Sequence, residues 1–154
     1  MRTDTATRII RAPTRVIYRA LLNAGAIERW RPPSGMTGIL ETFQARENGT
    51  YRMVLTYRTP PAGGGKSGED RDVVNGRFVK LVPNELVVED VSFVSDDPTL
   101  AAPMTITTAL VPVMGGTRVT ITAENVPDAI SEKDHRTGMD STLANLAAFV
   151  ENSR

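Results

Sequence analysis

Arg77 and Asp90 are the residues of this 154-residue chain whose types and placement point most directly to chemistry. A symmetric turn at Pro83-Asn84 sets Leu81 against Leu86, Val79 against Val88 and Arg77 against Asp90. Side chains alternate across a strand, so these pairs share one face, apolar near the turn and charged farther along. The other face, with Lys80, Val87, Phe78 and Glu89, is assigned to solvent or an edge. Two roles suit Arg77 and Asp90. One is a rim salt bridge worth about 1 kcal/mol at most. The other is a polar anchor inside an apolar ligand cavity. Positive charge beside Asp90 favours its ionised form, which suits a general base better than an acid.

Other chemical groups are sparse. The single histidine, His135, falls in the first turn of the last helix, where exposure is expected. It could act as a general base only if it reached a cavity beside a carboxylate. One histidine and no cysteine exclude a histidine-cluster metal site, thiol catalysis, thiolate zinc and disulfides. Asp96-Asp97 before Pro98 reads as a loop, and neither a metal nor a cofactor is expected. Gly65-Lys66-Ser67 ends like a phosphate-binding loop, but Pro60 stands where its first glycine would be. Asn48-Gly49-Thr50 matches a glycosylation sequon and is better explained as a hairpin turn. Trp30, Phe43, Tyr51 and Tyr57 are open to two roles, stacking on a ligand or filling the core.

The elements that must position these groups follow from periodicity and turn chemistry. Thr5 to Arg11 reads as a strand, and Ala12-Pro13 breaks it into a helix with Val16, Ile17, Ala20, Leu21 and Ala24 on one side. A further helical turn over Ala26 to Trp30 stops at Pro32-Pro33. Strands follow at about 36–46, 50–58, 73–82, 85–94, 104–113 and 117–125, joined as an antiparallel meander. At Asn48-Gly49 a three-residue loop, setting Phe43 against Met53, aligns Phe43, Ala45, Tyr51, Met53 and Leu55. At Gly115-Gly116 the turn sets Leu110 against Ile121 and Thr108 against Ala123, with Met104 and Ile106 on the same face. The glycine- and proline-rich stretch from Pro60 to Gly68 is a flexible rim loop, and whether it closes over a cavity stays open. Ser131, three residues before Asp134, starts a helix of about twenty residues carrying Met139, Leu143, Leu146, Ala147 and Val150 on one side. That stripe needs one face of the sheet, which makes residues 1–154 a single two-layer α+β domain.

Lys plus Arg and Asp plus Glu number 18 each, giving zero formal charge. With no basic run, there is no electrostatic footprint for nucleic acid or for an anionic membrane surface. The charged opening Met1-Arg2-Thr3-Asp4 carries no sign of a secretory signal, and a cytoplasmic protein without membrane insertion is expected.

In this order the residues resemble the SRPBCC, or START-like, helix-grip superfamily, and within it the branch named for the activator of the 90-kDa heat-shock protein ATPase. The likeness is carried by Ala12-Pro13 with Ile17-Tyr18-Arg19-Ala20, by Trp30-Arg31-Pro32-Pro33 and by the hairpin Arg46-Glu47-Asn48-Gly49-Thr50-Tyr51. Gly76 to Pro83, Gly116 to Thr120 and Gly138 to Leu146 complete it. The chain departs from the family at Gly138-Met139, where Gly-Trp is usual, and at Asp90, where an aromatic is frequent. The resemblance implies a curved antiparallel sheet wrapped around a long C-terminal helix, with a deep cavity between them that both departures would open.

The ligand so implied is an apolar or amphipathic small molecule. Trp30, Met53, Leu55, Val79, Val88, Ile106, Met139 and Leu143 are the expected wall, and Arg77 and Asp90 the polar anchor. The alternatives are a cyclase- or hydratase-like enzyme in the same cavity, with Asp90 or His135 as its acid or base, and an activator of a chaperone ATPase. A homodimer stays open, and fold alone does not choose among these functions.

Overall fold

In a computed structural model, residues 2–152 of the chain are described. Strand β1 (Arg2–Ile10) leads through Ala12-Pro13 into α1 (Thr14–Leu21), with Pro13 extended as its N-cap residue. Asn23 then starts α2 (Ala24–Trp30), its side chain accepting a 2.9 Å hydrogen bond from the Ala26 amide. The meander runs through β2 (Met36–Phe43), β3 (Thr50–Tyr57), β4 (Arg71–Val82), β5 (Leu86–Phe93), β6 (Met104–Val113) and β7 (Gly116–Val126). Between β5 and β6 the Asp96-Asp97-Pro98 stretch forms one short helix, α3 (Pro98–Ala101), where a loop is expected; the Asp97 carboxylate caps it at the Thr99 amide. The chain ends in α4 (Glu132–Glu151), capped by Ser131 on the Asp134 amide.

The seven strands form one antiparallel sheet in the order β1-β7-β6-β5-β4-β3-β2, and the architecture is α+β, a curved sheet gripping the C-terminal helix. All five apolar residues expected on the buried stripe of α4, Met139, Leu143, Leu146, Ala147 and Val150, are buried. They pack with inward residues of the sheet and with Ile17 and Leu21 of α1. Among the described residues no helix is long and apolar enough to cross a membrane.

The registers correct the sequence reading in an instructive way. In the β6–β7 hairpin Leu110 lies opposite Val119 and Thr108 opposite Ile121, a displacement of two positions. A shift of two preserves the faces, so Met104, Thr108, Leu110 and Ala123 are buried as expected. In β2–β3 the connection is longer than three residues: Phe43 pairs with Tyr51, because Gln44 and Gly49 close the loop through their own backbone bonds. Tyr51, Met53 and Leu55 still share the inner face, while Ala45 lies exposed in the loop.

The β4–β5 hairpin is where one residue changes the outcome. Near the turn Leu81 pairs with Val87 and Lys80 with Val88, then a bulge at Val79 restores the pairing of Phe78 with Glu89 and Arg77 with Asp90. The extra residue lets Leu81 and Phe78 both contact the core. Phe78 is 0% exposed, Val87 1% and Glu89 2%, so the face assigned to solvent is the inner one. Arg77 and Asp90 do pair, but on the outside.

Candidate functional site

Between the inner face of the sheet, α4 and the 58–66 loop lies a cavity of about 1070 Å³. Met104 and Ile106 of β6, Val91 of β5, Ile121 of β7 and Met139 and Leu146 of α4 form apolar walls. These residues reach it for one reason: alternate strand positions and every third or fourth helix position face inward.

Three polar groups meet on this wall. Arg31, the first residue after α2, is aimed inward because Pro32-Pro33 turns the chain there and the Thr142 hydroxyl of α4 donates to the Arg31 carbonyl at 3.2 Å. Its Nη1 donates to Glu89 Oε1 at 3.1 Å and to the Tyr51 hydroxyl at 3.1 Å, and that hydroxyl donates to the same Glu89 oxygen at 2.8 Å. The guanidinium also lies over the Trp30 ring, 5.2 Å from its centre. Burial works against the Arg31 charge, but Glu89 and Tyr51 reverse that effect and hold its pKa above the ordinary arginine value. Burial, then the Glu89 carboxylate, push Tyr51 well above the usual phenol range, so Tyr51 stays a proton donor. Two atom sets are left over: among the described residues Glu89 Oε2 and the remaining Arg31 N–H groups have no protein partner, and no such atom is sealed from solvent. The arrangement can therefore donate to and accept from one polar group of a ligand.

Two more polar clusters border the cavity. Buried Asp72 accepts from the Tyr57 hydroxyl at 2.6 Å and from the Lys66 amide at 2.6 Å, with Lys66 Nζ 3.3 Å away, which pins the 58–70 loop beside β4. Burial and the Asp72 bond push Tyr57 up. At the other end His135 Nδ1 lies 2.7 Å from Asp4 Oδ2, and Arg2 clasps Asp4 through Nε at 2.8 Å and Nη2 at 3.0 Å.

The Arg2 hydrogen bond leads, against burial and with help from His135, in holding the Asp4 carboxyl below its ordinary value. A depressed folded-state pKa contributes stability that is complete above the unfolded value, near about 4, and is lost as pH falls through the folded one. Asp4→Asn is therefore expected to flatten the acid limb of a stability profile measured by urea unfolding between pH 5 and pH 2. An unchanged limb would show that Asp4 does not carry it.

The expected site residues divide cleanly. Trp30, Leu55, Ile106, Met139 and His135 line the cavity, as do Tyr51, Tyr57 and Gly138. Met53 and Leu143 are fully buried behind the wall, and Phe43 packs edge-on to Phe78 with ring centres 5.8 Å apart. Arg77, Asp90, Val79 and Val88 do not reach the cavity. Arg77 Nη2 and Asp90 Oδ2 form a 3.1 Å outer-face bridge with side chains 45% and 39% exposed, joined by Asn48 and Thr105. Val79 is the exposed bulge residue and Val88 points outward between Val87 and Glu89. That pair is thus a salt bridge on the outer face, and the Asp90 departure, lying outside, does not open the cavity. His135 is not a free surface residue: its side chain is 17% exposed and bound to a carboxylate.

Sequence reasoning missed Arg31, Glu89, Asp72 and Asp4. A signal for Glu89 existed, since it shares parity with Val87, Val91 and Phe93, whereas Asp90 shares parity with Leu86, Val88 and Ser92. The more apolar parity is the buried one.

The family model described as activator of Hsp90 ATPase homolog 1-like protein matches residues 11–151. The chain belongs to this family. The solved structure of protein CV1439 from Chromobacterium violaceum is 32% identical, with a TM-score of 0.84 over 97% of this chain and 96% of that one. A Rhodobacter sphaeroides protein shares the fold at 18% identity and a TM-score of 0.77, covering 99% of this chain and 94% of its own. A Staphylococcus epidermidis protein does so at 19% identity and 0.76, covering 99% and 91%. No curated protein matches the chain. Membership in the family agrees with a SRPBCC-type domain, and the Gly138-Met139 departure falls on the cavity wall itself.

Proposed function

We propose that this protein binds an amphipathic small molecule in the cavity between the sheet and α4, with its polar group on Arg31, Tyr51 and Glu89. The observation that carries the reading is an apolar cavity of about 1070 Å³ with a buried, incompletely paired polar cluster on its wall. Ligand sites have this composition: apolar walls for affinity and a few placed polar groups for orientation. Arg31 and Glu89 neutralise each other, so the fitting head group is uncharged and carries both a donor and an acceptor, such as a hydroxyl. A carboxylate head would meet the Glu89 charge at the same place.

Trp30, the single tryptophan, reports on the site directly. Titration with 1-octanol is expected to change its fluorescence saturably, and octanoate to bind at least about tenfold more weakly, a difference of about 1.4 kcal/mol. If neither compound binds, the reading fails; if octanoate binds as well as octanol, the neutral-head assignment fails.

Gly138 separates folding from binding. It sits inside α4 on the cavity wall, and an added Cβ would meet no atom within 4 Å. Gly138→Ala is expected to stabilise the protein by about 0.5–1 kcal/mol, because glycine costs a helix interior that much. Gly138→Leu should keep most of that gain while filling cavity space, so octanol affinity falls as the melting temperature rises. A loss of stability in the alanine variant would contradict the open space beside Gly138.

A further inference from the structure

At the end of the cavity formed by the start of α4, the only histidine of the chain is held as catalytic imidazoles are held. His135 lines the cavity, and its Nδ1 lies 2.7 Å from Asp4 Oδ2. Arg2 binds both Asp4 oxygens, at 2.8 and 3.0 Å, and is itself fixed by a 2.7 Å bond to the Ile130 carbonyl. An ionised carboxylate can only accept, so the proton of a neutral His135 stands on Nδ1 and the lone pair on Nε2. Arg2 already balances the Asp4 charge, so the imidazole need not be cationic to satisfy it. Nε2 has no protein partner among the described residues, yet no unpartnered side-chain nitrogen is sealed from solvent.

We propose that His135, oriented by Asp4, is a general base presenting Nε2 to the cavity, and that it promotes attack of water on an ester seated there by an apolar chain. This rests on the cavity being the ligand site. An ester is uncharged, so the Arg31–Glu89 cluster does not repel it as it would a carboxylate. At a helical rise of about 1.5 Å per residue, His135 lies about 10 Å along α4 from Thr142, which holds the Arg31 backbone. His135 is therefore a polar pole of the cavity separate from the Arg31 cluster, and the Asp72 cluster borders it at the loop. No serine or threonine hydroxyl of the described chain donates to Nε2, so the proton it takes comes from water and no acyl-enzyme is formed.

The step balances without a co-reactant beyond water. Nε2 takes a proton from water as the oxygen bonds to the acyl carbon, and the carbonyl electron pair moves onto its oxygen. When that pair returns, the bond to the leaving oxygen breaks, and the alcohol departs with the proton from Nε2. Asp4 stabilises the imidazolium that exists between these events, which makes it a positioning residue. The other charges at this end are Arg2 on β1, Glu132 and Asp134 on α4, and Asp128 in the loop before it.

The test follows 4-nitrophenolate release from 4-nitrophenyl octanoate, with binding of the uncleavable 4-nitrophenyl octyl ether read from Trp30 fluorescence. Wild-type protein is expected to bind the ether and to release nitrophenolate saturably, with a rate rising from acid to neutral pH and then levelling. His135→Gln should lose about a hundredfold in kcat. Asp4→Asn should lower kcat with KM retained and displace the pH profile, which a merely structural role would not do. Ether binding with release no faster than buffer, or no slower in His135→Gln, overturns the base and leaves the cavity reading standing. Failure to bind the ether while 1-octanol binds removes the ester proposal alone, and failure to bind either compound removes both. Should either variant fail to fold, the single histidine of labelled wild-type protein decides by nitrogen NMR: a bare Nε2 is expected, and a neutral ring with its proton on Nε2 overturns the proposal.

Discussion

Replacing Arg31 with leucine is expected to cost about 3–5 kcal/mol of unfolding free energy, the range for breaking a buried ion pair from one side. The Glu89 side chain is 3% exposed and would keep only the Tyr51 hydroxyl, leaving a carboxylate in the sheet interior without its cation. The companion Glu89→Leu strands Arg31, whose side chain is 21% exposed along the cavity, and should cost less for that reason. The double variant should recover most of the loss, since an apolar pair of similar volume removes both desolvation penalties. Urea unfolding of the four proteins gives the coupling energy directly. A single-variant loss under about 1 kcal/mol would mean that the pair is solvated like a surface bridge.

Gly76→Ala should be nearly as damaging, though it adds one methyl group. Gly76 lies opposite Tyr51 in the β3–β4 ladder, and a Cβ there would fall within the Tyr51 ring. The ring has little room to yield: its centre is 5.5 Å from that of Phe78 and 6.3 Å from that of Phe43, and its hydroxyl is tied to Glu89. Overpacking of this kind costs about 1–3 kcal/mol, and here it also pulls the hydroxyl from the carboxylate. Tyr51→Leu in the Gly76→Ala background should relieve part of the loss, whereas Tyr51→Leu alone should destabilise. Strictly additive effects would show that the glycine is not reserved for this ring.

These two positions show what could be read from the chain and what could not. Element order, the buried stripe of α4 and the inner faces of β3, β6 and β7 follow from periodicity, which survives an error of two positions in a turn. The polar anchor did not survive, because the bulge at Val79 places Leu81 on the same face as Phe78 instead of Arg77, and that inward face takes Val87 and Glu89 of β5 in place of Val88 and Asp90. Nothing local marks that bulge; the reason lies in packing, where Phe78 must meet Phe43 and Tyr51. Arg31 was hidden differently. A charged residue between tryptophan and two prolines reads as a solvated helix end, and only the docking of α4 through Thr142 and Asn145 encloses it. Asp4 and His135 are separated by most of the chain, and their meeting depends on α4 lying along β1.

The most direct test of ligand binding in this cavity is a methyl- and backbone-resolved NMR titration of the protein with 1-octanol. Shifts confined to Leu55, Val91, Met104, Ile106, Met139 and Leu146, with the Tyr51 and Arg31 signals moving at the same concentration, are the expected result. Shifts gathered on the outer face around Arg77, Asp90 and Val79, or none at saturating octanol, would contradict it.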